Sequence, residues 1–243
     1  MHELLTYSFV SQDLLAKVGQ NAADSYEITN SLSPELQCFR QQIVPSLLIK
    51  VRENIKSGYS DFSIYELNQV TRRSFGLSAE GTPIMRTNLG IVSLGDFYQI
   101  KNQILAATRK GLRIELEYTQ MTPNSRAAEL FPYLEPVHSA SVILNGEVIG
   151  AFGEIKSTVL RRLKIDQTVA ACELNLEAIL ELPREVAPNL RVSKFPFVER
   201  DLTLKVAGSA AFGRFYNAIS QTLALQGLVS YVSPASIYQA ASD

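Results

Sequence analysis

Catalysis needs acids, bases or nucleophiles within reach of one another, and this chain offers few. His2 and His138 are its only histidines. His138 precedes Ser139, which admits a nucleophile-and-base reading; the plain reading is a loop histidine. Glu115 and Glu117 share one face of a strand. General acid–base work would require one of them to be buried, and the plain reading is a solvated face. Glu66 differs, because its strand neighbours Ile64, Tyr65 and Leu67 are apolar. A carboxylate in such a strand needs a hydrogen-bonding partner. Glu66 is therefore read as a structural carboxylate, with subunit or substrate contact as the second option. No Gly-x-x-x-x-Gly-Lys-Ser/Thr phosphate loop occurs. Cys38 and Cys172 stand alone, without a Cys-x-x-Cys pair, so neither a zinc site nor a disulfide framework is expected. A reducing, cytoplasmic setting fits.

With 243 residues, 46% of them hydrophobic, the chain can bury one large core or two smaller ones. A net charge of −1 gives no global pull toward nucleic acid, so any RNA contact must be local. From Arg191 onward five cations face three acids, a weak basic bias that solvated surface charge explains equally well. No run approaches the roughly 20 apolar residues of a membrane span. The first ten residues carry no basic region followed by an apolar core, so no signal peptide is read there.

The elements that would position these groups alternate strands and helices. Leu5, Tyr7 and Phe9 alternate with Thr6 and Ser8, which predicts a strand with the apolar set inward. A strand so near the first residue suggests a lead-in upstream. A short helix is expected at 12–18 and a strand at 26–30. Ser33 and Pro34 suit a helix start, and Leu36, Phe39, Ile43, Leu47, Val51 and Ile55 keep helical spacing to about residue 56. Pro45 should kink or split that helix. Strands follow at 61–70 and 91–94. A helix is expected at 97–110, with Phe97, Ile100, Ile104 and Ala107 on one face, then a strand at 114–118. Asn145-Gly146, between 141–144 and 147–152, is a type I′ hairpin signal. After a strand at 169–176, residues 183–188 read as a linker. Leu202, Leu204 and Val206 alternate with Asp201, Thr203 and Lys205 as another strand. A helix at 211–226 and a strand-like 228–238 complete a β-α-β tail. The pattern is α+β around a largely antiparallel sheet.

Several blocks in one order resemble bacterial phenylalanyl-tRNA synthetase beta subunits. They are Thr6-Tyr7-Ser8-Phe9, Asn30-Ser31-Leu32-Ser33-Pro34-Glu35, Arg40 with Val44-Pro45-Ser46-Leu47-Leu48, and Ile64-Tyr65-Glu66-Leu67. The series continues with Ser139-Ala140, Gly146, Gly153-Glu154-Ile155, Glu173-Leu174-Asn175-Leu176, Phe195-Pro196 and Arg200-Asp201-Leu202. Each block is weak alone; their collinear order over nearly the whole chain is specific. Departures occur at Ser31, Ser46, Asn68, His138, Lys156-Ser157 and Ser236-Ile-Tyr238-Gln239-Ala240, where the family usually has other residues.

The resemblance implies a class II synthetase-like, inactive catalytic-type domain over 1–186. It implies a linker and the first half of a ferredoxin-like anticodon-binding domain over 187–243. Only the first β-α-β of that fold would then be present, leaving 191–243 with half a sheet and little cover. The motif arginines that hold ATP in class II enzymes are missing, so the chain alone is expected not to be catalytic. In this family the alpha subunit performs the chemistry, using ATP and magnesium, in an α2β2 heterotetramer that charges tRNA(Phe). No cofactor or metal is expected in this chain. The resemblance places Pro45, Leu47, Leu48 and Val51 at the alpha–beta interface. It places Thr203, Lys205, Ser236 and Tyr238 toward the anticodon; a polar sheet surface is the other reading of those four. The alternative function is a class II-like paralogue that binds and regulates a partner without tRNA.

Overall fold

Pro45 decides where the first long helix begins. Proline has no N–H to give to a helical turn and its ring crowds the carbonyl four residues back, so it is tolerated in the first turn and resisted inside. In the computed structural model the helix is Val44–Lys56, with Pro45 in its first turn. The expected longer helix with an internal kink is not formed. Ser33 instead accepts from the Glu35 N–H in a turn, and Cys38–Phe39 is a short strand. The structure describes residues 1–31, 33–112, 114, 116–181, 196, 198–207, 212–225, 232–233 and 236. By its internal contacts the chain divides into Met1–Pro188 and Asn189–Asp243.

In the first unit the strands are β1 (His2–Glu3), β2 (Phe9–Val10), β3 (Cys38–Phe39), β4 (Ser63–Thr71), β5 (Met85–Leu94), β6 (Glu117–Gln120), β7 (Leu134–Leu144), β8 (Glu147–Ile155) and β9 (Val169–Asn175). The helices are α1 (Gln12–Lys17), α2 (Val44–Lys56), α3 (Phe97–Leu105), α4 (Arg126–Leu130), α5 (Ser157–Leu163) and α6 (Leu176–Leu180). Seven strands form one sheet in the order β1-β4-β5-β9-β8-β7-β6. Every pairing in it is antiparallel except β1 with β4. This is the α+β, largely antiparallel class expected.

Both faces of the sheet are covered. Because successive strand residues point to opposite sides, Val92, Ala151 and Ala171 face one core and Ile91, Phe152, Ala170 and Cys172 the other. The first core is closed by Leu47, Leu48 and Val51 of α2, with α1 and α5. The second is closed by Ile100 and Ile104 of α3. Burying one such side chain stabilises by about 1.5–3 kcal/mol. Where α2 starts, it crosses β5 so closely that a Cβ on Gly90 would lie 2.6 Å from Ile43 Cγ2.

Several local expectations are revised. Residues 4–7 run beside β4 but form no strand, and their alternation is inverted: Leu5 is 77% and Tyr7 74% exposed. Thr6 turns inward because its hydroxyl is claimed by a buried carboxylate, described below. At 26–30 only a single bridge, Glu27 to Cys38, forms. After Leu105 the helix loosens to a π-turn over Ala106–Leu112. That extra residue shifts the inward position from Ala107, which is exposed, to Thr108, which is buried and donates to the Ile104 carbonyl at 2.9 Å. The hairpin forms as expected, with Asn145 at φ 51° and Gly146 at φ 83°.

In the second unit, α7 (Phe212–Leu225) matches the expected helix. The strand expected at 201–206 is absent: these residues carry no regular structure, and Leu202, Leu204 and Val206 are exposed. A strand exists only through hydrogen bonds to a neighbour, and no described residue pairs with this segment. The linker at 183–188 and most of 228–238 lie outside the described residues.

Candidate functional site

The strongest polar constellation lies under the N-terminus of α2. Arg40 and Glu66 are almost wholly buried, at 1% and 0% exposure. Arg40 Nη2 donates to Glu66 Oε1 at 2.9 Å, Nη1 to Thr6 Oγ1 at 2.8 Å and Nε to the Gln69 carbonyl at 3.3 Å. Glu66 also accepts from the Thr6 hydroxyl at 2.6 Å and from Asn68 Nδ2 at 3.0 Å. The Arg40 backbone takes part too, donating to the Ser8 carbonyl and accepting from the Thr71 N–H. Three segments far apart in sequence are thus tied at one buried ion pair. The reading of Glu66 as a hydrogen-bonded buried carboxylate matches this geometry.

A second buried carboxylate, Glu173 on β9, does what Ile43 cannot. Ile43 precedes α2 and has no side chain able to cap it. Glu173 accepts from the N–H groups of Ile43 and Val44 at 2.9 Å each and from Asn88 Nδ2 at 2.8 Å. It therefore satisfies free N–H groups at the positive end of the helix dipole. Burial raises its pKa above the ordinary carboxylate value; the hydrogen bonds from Asn88, Ile43 and Val44 and the Arg40 charge oppose that rise. Neither Glu173 nor Arg40 was singled out by its chemistry in the sequence. The signal was available for Glu173: one acid inside the apolar run Val169-Ala-Ala-Cys-Glu-Leu174, the same signature as Glu66.

The four residues expected at a subunit interface are placed otherwise. Pro45, Leu47, Leu48 and Val51 are all buried, the last three at 0% exposure, in the chain's own core. It is the resemblance, not the apolar spacing, that implies a docking face here; the spacing is satisfied internally against β4, β5 and β9. The surface that α2 presents outward carries Lys50, Glu53 and Lys56, with Ile49, Arg52 and Ile55 half-covered.

His138 and Ser139 do not form a catalytic pair. His138 is on β7 rather than a loop, and its ring meets Glu154 across the hairpin, Nδ1 to Oε2 2.9 Å. Ser139, the next strand residue, points to the opposite side and is buried. Glu154 also accepts from the Phe97 N–H, so it helps cap α3 beside Asp96. Glu117 is exposed on β6, and Glu115 lies outside the described residues. The face of the sheet toward α3 is filled by Phe97 stacked on Phe152, with ring centroids 5.3 Å apart, and by Ile100 and Ile104. Among the described residues no group of three or more His, Cys, Asp or Glu is arranged to hold a metal ion. Thr203, Lys205 and Ser236 are exposed in irregular backbone, and Tyr238 lies outside the described residues.

Comparison with known proteins places the architecture. The family model described as the phenylalanyl tRNA synthetase beta chain CLM domain matches residues 1–176. The phenylalanine–tRNA ligase beta subunit of Mannheimia succiniciproducens is 29% identical over 225 residues, which cover 86% of this chain and 27% of that relative. The corresponding subunit of Carboxydothermus hydrogenoformans is 26% identical over 230 residues, covering 90% and 28%. The chain thus spans little more than a quarter of the length of these relatives. Among solved structures, pyrrolysyl-tRNA synthetase from Desulfitobacterium hafniense superposes with a TM-score of 0.56 at 14% identity, over 74% of this chain and 62% of that one. That likeness concerns the fold alone.

Proposed function

The chain belongs to the phenylalanyl-tRNA synthetase beta-chain family, and on that premise we propose that it is a non-catalytic portion of phenylalanine–tRNA ligase that supports the alpha subunit. The observation that carries this reading is the filled sheet. Activating an amino acid with ATP needs an open floor lined by cations that meet the phosphates. Here the sheet face toward α3 is filled with hydrocarbon from Phe97, Ile100, Ile104 and Phe152, which leaves no such floor on that side among the described residues. The α2β2 assembly, ATP and magnesium then belong to the whole enzyme, and tRNA(Phe) is its substrate. Contact with the alpha subunit is assigned to the outward surface of α2, around Lys50, Glu53 and Lys56, in place of the buried apolar face.

Residues 187–243 are assigned to the start of a ferredoxin-like anticodon-binding domain, with Thr203, Lys205, Ser236 and Tyr238 toward RNA. Exposed Leu202, Leu204 and Val206 suit a segment whose strand partners are supplied elsewhere. A cytoplasmic setting is proposed from the family's role in translation. No described helix is long and apolar enough to cross a membrane.

The test is co-expression with the alpha subunit. Co-purification and tRNA(Phe) charging by the assembled enzyme are expected, with no ATP–pyrophosphate exchange by this chain alone. In the assembled enzyme Lys205→Ala should weaken tRNA(Phe) binding while leaving phenylalanine activation unchanged, since one phosphate-reaching cation is lost. Unchanged tRNA affinity would remove the RNA-facing assignment. A stable complex with an unrelated enzyme, and none with the alpha subunit, would favour a regulatory module instead.

A further inference from the structure

Beyond the last residue of β4, on the α2 side of the sheet, lies a cleft of about 410 Å³. It is bounded by the segment after α1, the segment before α2 and the end of α4, and lined by Gln20, Asn21, Asp24, Gln41, Arg72 and Ser74 among others. Two of these side chains are more than nine-tenths buried yet unsatisfied. Arg72 is 8% exposed, and its Nε has no hydrogen-bond partner among the described residues. Gln20 is 7% exposed; its Nε2 donates to Gln42, but its Oε1 accepts from no described residue.

The charges around Arg72 are otherwise engaged. Asp24 accepts from the Ser74 N–H and hydroxyl, and Glu129, also on the cleft wall, is paired with Arg126 at 2.8 Å. Glu173 is committed to the start of α2. Asp24 and Glu173 are near enough to act on the Arg72 charge, but no carboxylate among the described residues comes within 4 Å of it. Arg72 Cζ sits 5.9 Å from the Phe75 ring centre, the outer limit of a cation–π contact. Burial accordingly lowers its pKa, against the attraction of the Tyr133 oxygen, Asp24 and Glu173. The wholly buried Tyr133 hydroxyl, on which that charge acts, also has no hydrogen-bond partner among the described residues.

A buried guanidinium without a counter-ion is costly, and its planar fork matches the oxygens of a carboxylate or phosphate. We propose that this cleft binds a small oxyanion, a phosphate or carboxylate group carried by a metabolite-sized ligand, on the Arg72 guanidinium. The volume falls in the range of small-molecule sites rather than that of a bare ion. Gln20 Oε1 then takes a donor from the same ligand, a protonated oxygen or an N–H. The site is separate from the α3 face of the sheet, and it stands whether or not the chain serves in tRNA charging.

The test titrates the purified 243-residue chain with inorganic phosphate and with acetate, against sodium chloride at matched ionic strength. Thermal stability and backbone amide shifts are read together. Saturable stabilisation is expected from at least one anion, with shifts centred on Gln20, Asn21, Arg72 and Ser74. Phosphate alone would name a phosphorylated ligand, and acetate alone a carboxylate. Arg72→Met should weaken binding at least about tenfold while the anion-free protein keeps its melting temperature or gains, because the unpaired charge is gone. Absence of saturable binding by both anions overturns the proposal, as does equal binding by Arg72→Met. If Arg72→Met does not fold, the wild-type shift map decides, and shifts centred elsewhere overturn the proposal.

Discussion

Breaking the Arg40–Glu66 pair from one side should cost far more than removing it whole. Arg40→Met leaves the Glu66 carboxylate at 0% exposure with only the Thr6 hydroxyl and Asn68 Nδ2 as donors. Glu66→Leu leaves the guanidinium at 1% exposure with Thr6 Oγ1 and the Gln69 carbonyl. Stranding one charge of a buried pair costs about 3–5 kcal/mol. For a unit of this size that corresponds to a melting-temperature loss of roughly 6–20 °C. The double variant Arg40→Met/Glu66→Leu strands no charge and replaces the pair with hydrocarbon of similar volume. Its remaining cost is the Thr6 and Asn68 groups left without partners, about 1–3 kcal/mol each, offset by the desolvation no longer required. The double should therefore lie well below the sum of the singles and close to the milder one. Urea denaturation of the four proteins at pH 7 measures the cycle. Single losses under about 1 kcal/mol, or a double equal to the sum of the singles, would refute the claim that this pair is a desolvated, mutually dependent unit.

Other perturbations test the remaining parts. Because burial raises the folded pKa of Glu173, the native chain holds a proton between the ordinary carboxylate value of 4.5 and that raised value, which the unfolded chain has released. Its contribution to stability is complete below pH 4.5 and declines as pH rises through that window. Glu173→Gln should flatten this decline in denaturation curves taken from pH 4 to 8, and an unchanged slope would count against the carboxylate. Gly90→Ala should destabilise by about 1–3 kcal/mol, since its methyl would press on Ile43 at the start of α2; thermal denaturation reads it. Gly146→Val, at φ 83°, should cost about 1–2 kcal/mol through the hairpin turn, with a melting-temperature loss of a few degrees as the readout.

What was readable in the sequence was what local chemistry enforces. Asn145-Gly146 produced its hairpin because few other residue pairs accept two positive φ angles. The helix expected at 211–226 formed as Phe212–Leu225, and Glu66 declared itself as an acid among apolar neighbours. Misreadings arose where several structures satisfy one pattern. Leu36 to Ile55 keeps helical spacing, yet Pro45 can start a helix as readily as kink one, and pairing of Cys38–Phe39 with Phe9–Val10 decided between them. Leu5 and Tyr7 looked inward by alternation, but Thr6 was drawn in by a buried arginine 34 residues away. Pro45, Leu47, Leu48 and Val51 would look the same in a core or at an interface, because periodicity marks a buried face without saying whose atoms bury it.

The sequence by itself determined the family and the antiparallel α+β class. Those follow from ordered motifs and residue types, which need no coordinates. Only the tertiary structure decided that Glu173 caps α2 across 130 residues of chain. It alone decided that the sheet is filled on both faces and that Arg72 enters a cleft without a counter-ion among the described residues. Each of these is a long-range meeting of side chains, and a buried charge takes its meaning from partners that neighbouring residues in the chain do not name.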